Sequence, residues 1–298
     1  MNKCVFVKSV GLDSAQCGKV EVAFFNDKEW KIIVNCEKNS SLQGSLSKAK
    51  TTKQSTSNAD SQITITFFAL ENDIDCLVCG YLVTFLGLDF YANLKREKNA
   101  IFIDTTLSKD EILSRLAQKD IIQSCEQITM SDKKINSDSI IMPFNGSRAK
   151  ISREILEANY DFFATSNIES GKFLVRIVCG ESSANAVESF DTNPKNAIYK
   201  AIGKALDLSL RDLAKANRGN PSNLLDATIF LNFRLEIECL KILILQKCTF
   251  IVCAGIPSFS VVRFAQKFGI TLIAFTKNHA NSEEFLVLTH QMRLATRI

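Results

Sequence analysis

The sequence predicts an α/β fold built on a parallel sheet, and three observations predict it. Ile229 to Phe233, Cys248 to Ala254 and Ile270 to Phe275 are short apolar, β-rich runs. Arg234 to Gln246 and Ser258 to Lys267 lie between them and are long enough for helices. Gly269 introduces the third run. Strands alternating with helices of this length imply crossover connections, which is how parallel strands are joined. In such sheets ligands bind beyond the carboxyl ends of the strands, so the site is sought there.

A chain of 298 residues, 46% of them apolar, can bury a sizeable core in one large domain or two. The net charge of +4 is too small to argue for nucleic acid, though it suits a local anion site. No run approaches the ~18 apolar residues of a membrane span, so no membrane partner is expected. Met1 to Gly11 lacks the continuous apolar core of a secretory leader. The ten cysteines are scattered, many inside apolar segments such as Ile251 to Ala254. That usage fits a reducing cytoplasm, with most thiols buried as small apolar side chains.

Taken in order, Val20, Val22 and Phe24 alternate with polar residues, and so do Trp30, Ile32 and Val34 after Asn26-Asp27. The pattern predicts a hairpin with one buried face. Residues 38–62 are rich in Ser, Thr, Lys and Asn and read as a disordered insertion. Ile63 to Phe68 restores a strand, and Asn72 or Asp73 can cap a helix running to about Phe85. Residues 100–103 form another strand, and Ser108 to Glu111 has capping-box spacing ahead of a helix. Ile121 to Lys134 reads as a loop. Ser147 to Phe163 reads as one helix with Ile151, Ile155 and Leu156 on a stripe. Phe173 to Val178 is a strand. Pro194, a good first-turn residue, opens a helix over Lys195 to Leu210. Arg218 to Asn223 is a linker.

Three features compete for chemistry. Cys76-Leu-Val-Cys79 has metal or redox spacing, but no second pair follows at zinc spacing. Both thiols fall on an apolar helix and read as buried structural cysteines. His279 and His290 have no nucleophile arranged beside them in sequence. Cys125 sits in the polar stretch Gln123-Ser-Cys-Glu-Gln, where a nearby positive group could make it reactive.

Residues 234 to 275 then resemble a known family without a gap. Arg234-Leu-Glu-Ile-Glu238, Ile251-Val-Cys-Ala-Gly-Ile-Pro-Ser258 and Phe268-Gly-Ile-Thr-Leu-Ile-Ala-Phe275 resemble the C-terminal half of the formate dehydrogenase accessory sulfurtransferases, the FdhD family. Thr289-His290-Gln-Met-Arg293-Leu resembles the family's closing motif. Asp191 to Gly203 keeps Asp191, Asn196, Ala197, Lys200 and Gly203 of a further motif, while Asn193-Pro194-Lys195 replaces its Gly-Arg-His core. Val78 to Leu82 resembles the family's apolar helix, and Glu21 to Phe24 opposite Trp30 to Val34 its first hairpin.

The resemblance implies a cytidine-deaminase-like three-layer α/β/α sandwich over residues 106–298, preceded by a β-rich portion over residues 1–105. It implies a sulfur carrier for formate dehydrogenase, loaded by a cysteine desulfurase and delivering to the molybdenum cofactor. The family's carrier loop holds two cysteines and flanking glycines, whereas this chain offers Cys125 alone. One thiolate suffices for a persulfide carrier. The implied catalytic residue is therefore Cys125. The implied contacts to the cofactor in its bis-guanine-dinucleotide form, or to a guanine nucleotide, are Phe275, Thr276, Lys277, Asn278, His279, Ala280, Ser258, Arg234, Lys195 and Lys200. Members of the family look like dimers, so a homodimer is also implied, although the sequence shows no interface. Nucleoside deamination is excluded, because the zinc signature His-x-Glu with Pro-Cys-x-x-Cys is absent. The alternatives left open are a relative without sulfur transfer that chaperones the cofactor or a nucleotide, and a plain interaction protein.

Overall fold

The computed structural model describes residues 4–10, 17–23, 27–36, 62–86, 94–124, 150–165, 171–179, 186–216, 224, 227–277 and 283–295. Its centre is a six-stranded mixed sheet, flanked by a four-stranded sheet and by helices, so the protein is α/β.

In the N-terminal portion, β1 (Cys4–Val10) and β2 (Cys17–Ala23) form a separate two-stranded ribbon. Then β3 (Lys28–Asn35), β4 (Gln62–Ala69), β5 (Leu94–Glu97) and β6 (Ala100–Asp104) form a sheet in the order β4-β3-β6-β5. The hairpin expected between residues 20–24 and 30–34 is not formed. Instead, Ile32 lies opposite Ile65 of β4 and Ile101 of β6. The alternation of Trp30, Ile32 and Val34 identified the buried face correctly, and all three are buried. Alternation does not say which strand lies alongside, and β3 turned out to be central.

Two helices accompany this sheet, one between β4 and β5 and one after β6. The first, α1 (Ile74–Leu86), is almost entirely buried. The second, α2 (Lys109–Ser124), starts with Ser108 Oγ accepting from the Glu111 amide at 3.2 Å, the capping its sequence predicts. It continues through residues 121–124, which correct the loop expected there.

The helix expected over residues 147–163 is broken into three pieces. A short strand β7 (Ile151–Ser152) leads to α3 (Arg153–Ala158) and α4 (Tyr160–Thr165). Ser152 starts α3 by accepting from the Ile155 amide at 3.3 Å. Buried Asn159 separates the two helices, bonding Ile155 O at 2.8 Å and accepting from Arg176 at 2.9 Å. Short polar side chains that bond the backbone compete with helix continuation. The stripe of Ile151, Ile155 and Leu156 is still buried in one cluster.

The large sheet has the order β13-β12-β11-β10-β8-β9. Its strands are β8 (Phe173–Cys179), β9 (Ala186–Asp191), β10 (Ala227–Leu231), β11 (Phe250–Ala254), β12 (Thr271–Lys277) and β13 (Glu283–Val287). The three middle strands β10, β11 and β12 are parallel, as the sequence predicts, and antiparallel strands flank them on both sides. Their crossovers are α6 (Ile237–Leu245) and α7 (Phe259–Lys267), and α5 (Pro194–Ala216) follows β9. Every residue of β10 is buried, which fits a strand covered on both faces. Ile229, Leu231, Ile251 and Cys253 pack with α1, α5, α6 and α7, whereas Phe230, Phe250, Val252 and Ile273 pack with α3 and α4. The sheet is thus the middle of three layers.

Gly80 of α1 and Gly203 of α5 let these two helices approach closely. A Cβ on Gly80 would stand 1.9 Å from Tyr199 O, and one on Gly203 would stand 2.0 Å from Cys76 O. That close contact joins the N-terminal sheet and the large sheet into one continuous core, because β3, β6, α1 and α5 share a single cluster. Cys79 is fully buried there, and Cys76 is half-buried.

The closing motif works at the amino end of the parallel strands. Thr289 Oγ1 accepts from the Leu272 amide at 2.8 Å and donates to Ile270 O at 2.6 Å. The His290 ring lies 3.2 Å from Gln266 O, and Arg293 donates to Gly269 O. These contacts cap the end of α7 and hold β14 (Leu294–Ala295) beside β7. Among the described residues no helix is long and apolar enough to cross a membrane.

Candidate functional site at the carboxyl edge of the sheet

The carboxyl ends of β10, β11 and β12 lie side by side, since Leu231 is level with Cys253, and Ala254 with Phe275. Because β8 runs antiparallel to β10 and β9 antiparallel to β8, the end of β9 at Asp191 reaches the same edge. Helices α5, α6 and α7 therefore all begin there. The topology gathers Lys195, Arg234, Gly255, Ser258, Thr276 and the backbone of Lys277 on one rim.

Arg234 is exposed in the turn between β10 and α6, three residues ahead of the helix it was expected to open. Asn232 fixes that turn by accepting from the Leu174 amide at 2.7 Å. Beside it, Cys253 donates weakly to Gly255 O at 3.6 Å. Burial pushes the Cys253 thiol up to about 12, and nearby Arg234 only partly offsets that. It stays protonated at neutral pH and is no nucleophile.

Gly255 adopts φ +71°, a left-handed conformation that suits glycine. Its amide donates to Phe275 O at 2.7 Å, and no atom lies within 4 Å of where a Cβ would stand. Ser258 follows at the start of α7, exposed and without a side-chain capping bond. Lys195 sits in the first turn of α5, its ammonium 3.8 Å from Glu238 of α6. Glu238 also pairs with Lys241 at 3.2 Å, so its charge is shared between two lysines.

Two expected contacts are committed elsewhere. Lys200 is fully buried and paired with Asp191 at 2.6 Å. Its ammonium also reaches Leu70 O at 3.0 Å and Asn72 Oδ1 at 3.3 Å. With its protons used inside the fold, Lys200 has none to offer a ligand. The Phe275 ring is buried, stacked on Phe163 at 4.6 Å and edge-on to Tyr160 at 5.5 Å. It belongs to the packing of α4 against the sheet. Cys125, Asn278, His279 and Ala280 lie outside the described residues.

Two residues at this rim were missed in the sequence. Ile256 is 53% exposed and Phe259 is 75% exposed. Arg263 stands one turn beyond Phe259 with its guanidinium 5.8 Å from the ring centre. The signal available was the i,i+4 spacing of Phe259 and Arg263, which a search for charged groups alone overlooks.

No family model matches the sequence, and no curated protein matches it. A solved structure does. It is the crystal structure of a candidate formate dehydrogenase accessory protein from Desulfotalea psychrophila. The two superpose with a TM-score of 0.53 at 11% identity, covering 98% of this chain and 99% of the other. The chain shares the fold of that protein over almost its whole length.

The donors at the rim test what the resemblance implies. A guanidinium and a free serine hydroxyl suit phosphate groups, and Gly255 leaves room beside them although its own amide is taken by Phe275 O. They would hold the phosphates of a dinucleotide cofactor or a nucleotide at Arg234 and Ser258, with Lys195 alongside. Among the described residues no group of three or more His, Cys, Asp or Glu side chains is placed to hold a metal ion.

Proposed function

We propose that this protein serves formate dehydrogenase maturation as a sulfur carrier. Cys125 takes sulfur from a cysteine desulfurase and passes it to the molybdenum cofactor, whose phosphates rest on the carboxyl edge of the sheet. In the loading step the Cys125 thiolate attacks the terminal sulfur of the desulfurase persulfide. The S–S bond breaks, the desulfurase cysteine leaves as a thiolate, and Cys125 becomes the persulfide.

The observation that carries this reading is the fold shared end to end with a candidate formate dehydrogenase accessory protein, together with a phosphate-suited rim at its strand ends. Four of the described cysteines are poor alternatives to Cys125, because burial keeps their thiols protonated. Burial pushes Cys179 and Cys248 up, and pushes Cys239 and Cys253 up to about 12. The missing second loop cysteine and flanking glycines favour a second reading, a cofactor chaperone that moves no sulfur.

One experiment separates the two. The protein is incubated with a cysteine desulfurase, cysteine and pyridoxal phosphate, then weighed intact. The carrier reading expects the added mass of one sulfur atom, lost in Cys125→Ala and kept in Cys253→Ala. A wild-type protein that stays unloaded rejects the carrier and leaves the chaperone.

A further inference from the structure

We propose that Phe259 is a stacking platform for the aromatic ring of a phosphate-bearing ligand, with Arg263 beneath it and Ile256 beside it. This inference rests on the carboxyl edge being the cofactor site, and it adds the part of the ligand that phosphate contacts leave unexplained.

Exposure is the first argument. Phe259 is 75% exposed and Ile256 is 53% exposed, three residues apart on one short connection. Among the described residues most large apolar side chains are packed away, and β11 immediately upstream is buried along almost its whole length. Neither residue is needed by the core. Val261 and Ala265 form the buried face of α7, and Phe259 points away from it.

The second argument is the arrangement around the ring. The Arg263 guanidinium lies 5.8 Å from the ring centre, which supports the ring and keeps a positive charge beside it. Immediately upstream, Gly255 holds φ +71° with empty space where a side chain would stand. Exposed Arg234 follows β10, the strand beside β11, and its charge is felt by the Cys253 thiol at the end of β11. An aromatic face, an open backbone and two guanidinium groups complement a flat heterocycle carrying an anionic tail. The nearest carboxylate on α6, Glu238, is already shared by Lys195 and Lys241, so it opposes the anion little. Glu236, exposed in the turn after Arg234, and Glu284, opposite Thr276 on β13, also bring negative charge to this edge. Stacking on an aromatic side chain tolerates different bases, because every base offers a π-face.

The test uses the full chain and four probes: guanosine monophosphate, adenosine monophosphate, ribose 5-phosphate and inorganic phosphate. Affinities come from calorimetry, with the association state followed by sedimentation. Both nucleotides should bind, and ribose 5-phosphate, which has no base, should bind at least about fivefold more weakly. Phe259→Ala should bring the nucleotides down to the level of ribose 5-phosphate and leave ribose 5-phosphate unchanged. Phe259→Trp should restore the difference.

Equal binding of nucleotide and ribose 5-phosphate overturns the platform, as does nucleotide binding unchanged in Phe259→Ala. Failure of the wild-type protein to bind either nucleotide overturns it too. A Phe259→Ala protein that changes its association state while its nucleotide affinity holds would mark the patch as a protein contact instead. Sulfur loading at Cys125 is read separately by mass, so loss of the carrier reading leaves this result intact.

Discussion

Lys200 shows how much a single residue decides in this fold. Its ammonium and the Asp191 carboxylate are both fully buried, 2.6 Å apart. Asp191 also accepts from the amides of Leu70 at 3.2 Å and Asn193 at 3.1 Å. Asn196 ties the same turn to Phe68 O at 2.8 Å. The cluster stitches the end of β4 to the start of α5. Removing one member of a buried pair strands the other charge. Lys200→Met should therefore lower stability by about 3–5 kcal/mol in urea unfolding. The double variant Asp191→Asn with Lys200→Met should recover most of that loss. Equal losses in the single and double variants would mean the charge pair is not what matters. The spacing of Asp191, Asn196 and Lys200 was visible in the sequence as part of a motif, but its role was not. The partner carbonyl lies 130 residues upstream, and no local pattern announces a contact at that range.

At the scale of elements, what could be read was what local pattern controls. The parallel strands and their crossover helices appear where apolar runs and caps predicted them, within two or three residues. Pairing partners did not, because alternation in β3 sets a face and not a neighbour. The break at Asn159 also escaped, because it depends on Arg176 arriving from β8. The α1–α5 contact belongs to this scale as well. Gly203→Ala would press a methyl group against the Cys76 carbonyl, which is backbone and cannot rotate away. Its cost should reach about 3 kcal/mol, the upper part of the overpacking range. Gly255→Ala makes the contrast. The space there is open, so only the left-handed backbone opposes it, at about 1–2 kcal/mol. Thermal unfolding followed by circular dichroism ranks the two, and a Gly255 variant that loses more than the Gly203 variant would contradict the close approach.

Across the whole molecule the same division holds. The scaffold was accessible to sequence reasoning because burial of apolar strands and helices dictates it. The rim was accessible only in part, since Arg234 and Ser258 announce themselves by charge and position while Phe259 looks like one more core aromatic. Burial also sets a property of the whole chain. Tyr81, Cys239 and Cys253 are acids that burial holds protonated, each pushed up to about 12. In the unfolded chain the thiols release their protons near 9.0 and the phenol near 10.0. Between those values and about 12 the unfolded state binds fewer protons than the folded one, so stability must fall as pH rises. The contribution is complete below the unfolded values and is lost through the window above them. Each group can add a slope of up to about 1.4 kcal/mol per pH unit. Urea midpoints measured at neutral pH and at about pH 10.5 should drop accordingly. Tyr81→Phe and Cys253→Ala should each flatten the decline, because each removes one group that the unfolded chain can ionise more readily. A midpoint that holds steady across that range would mean these side chains reach water in the folded protein, and the continuous core between the two sheets would have to be redrawn.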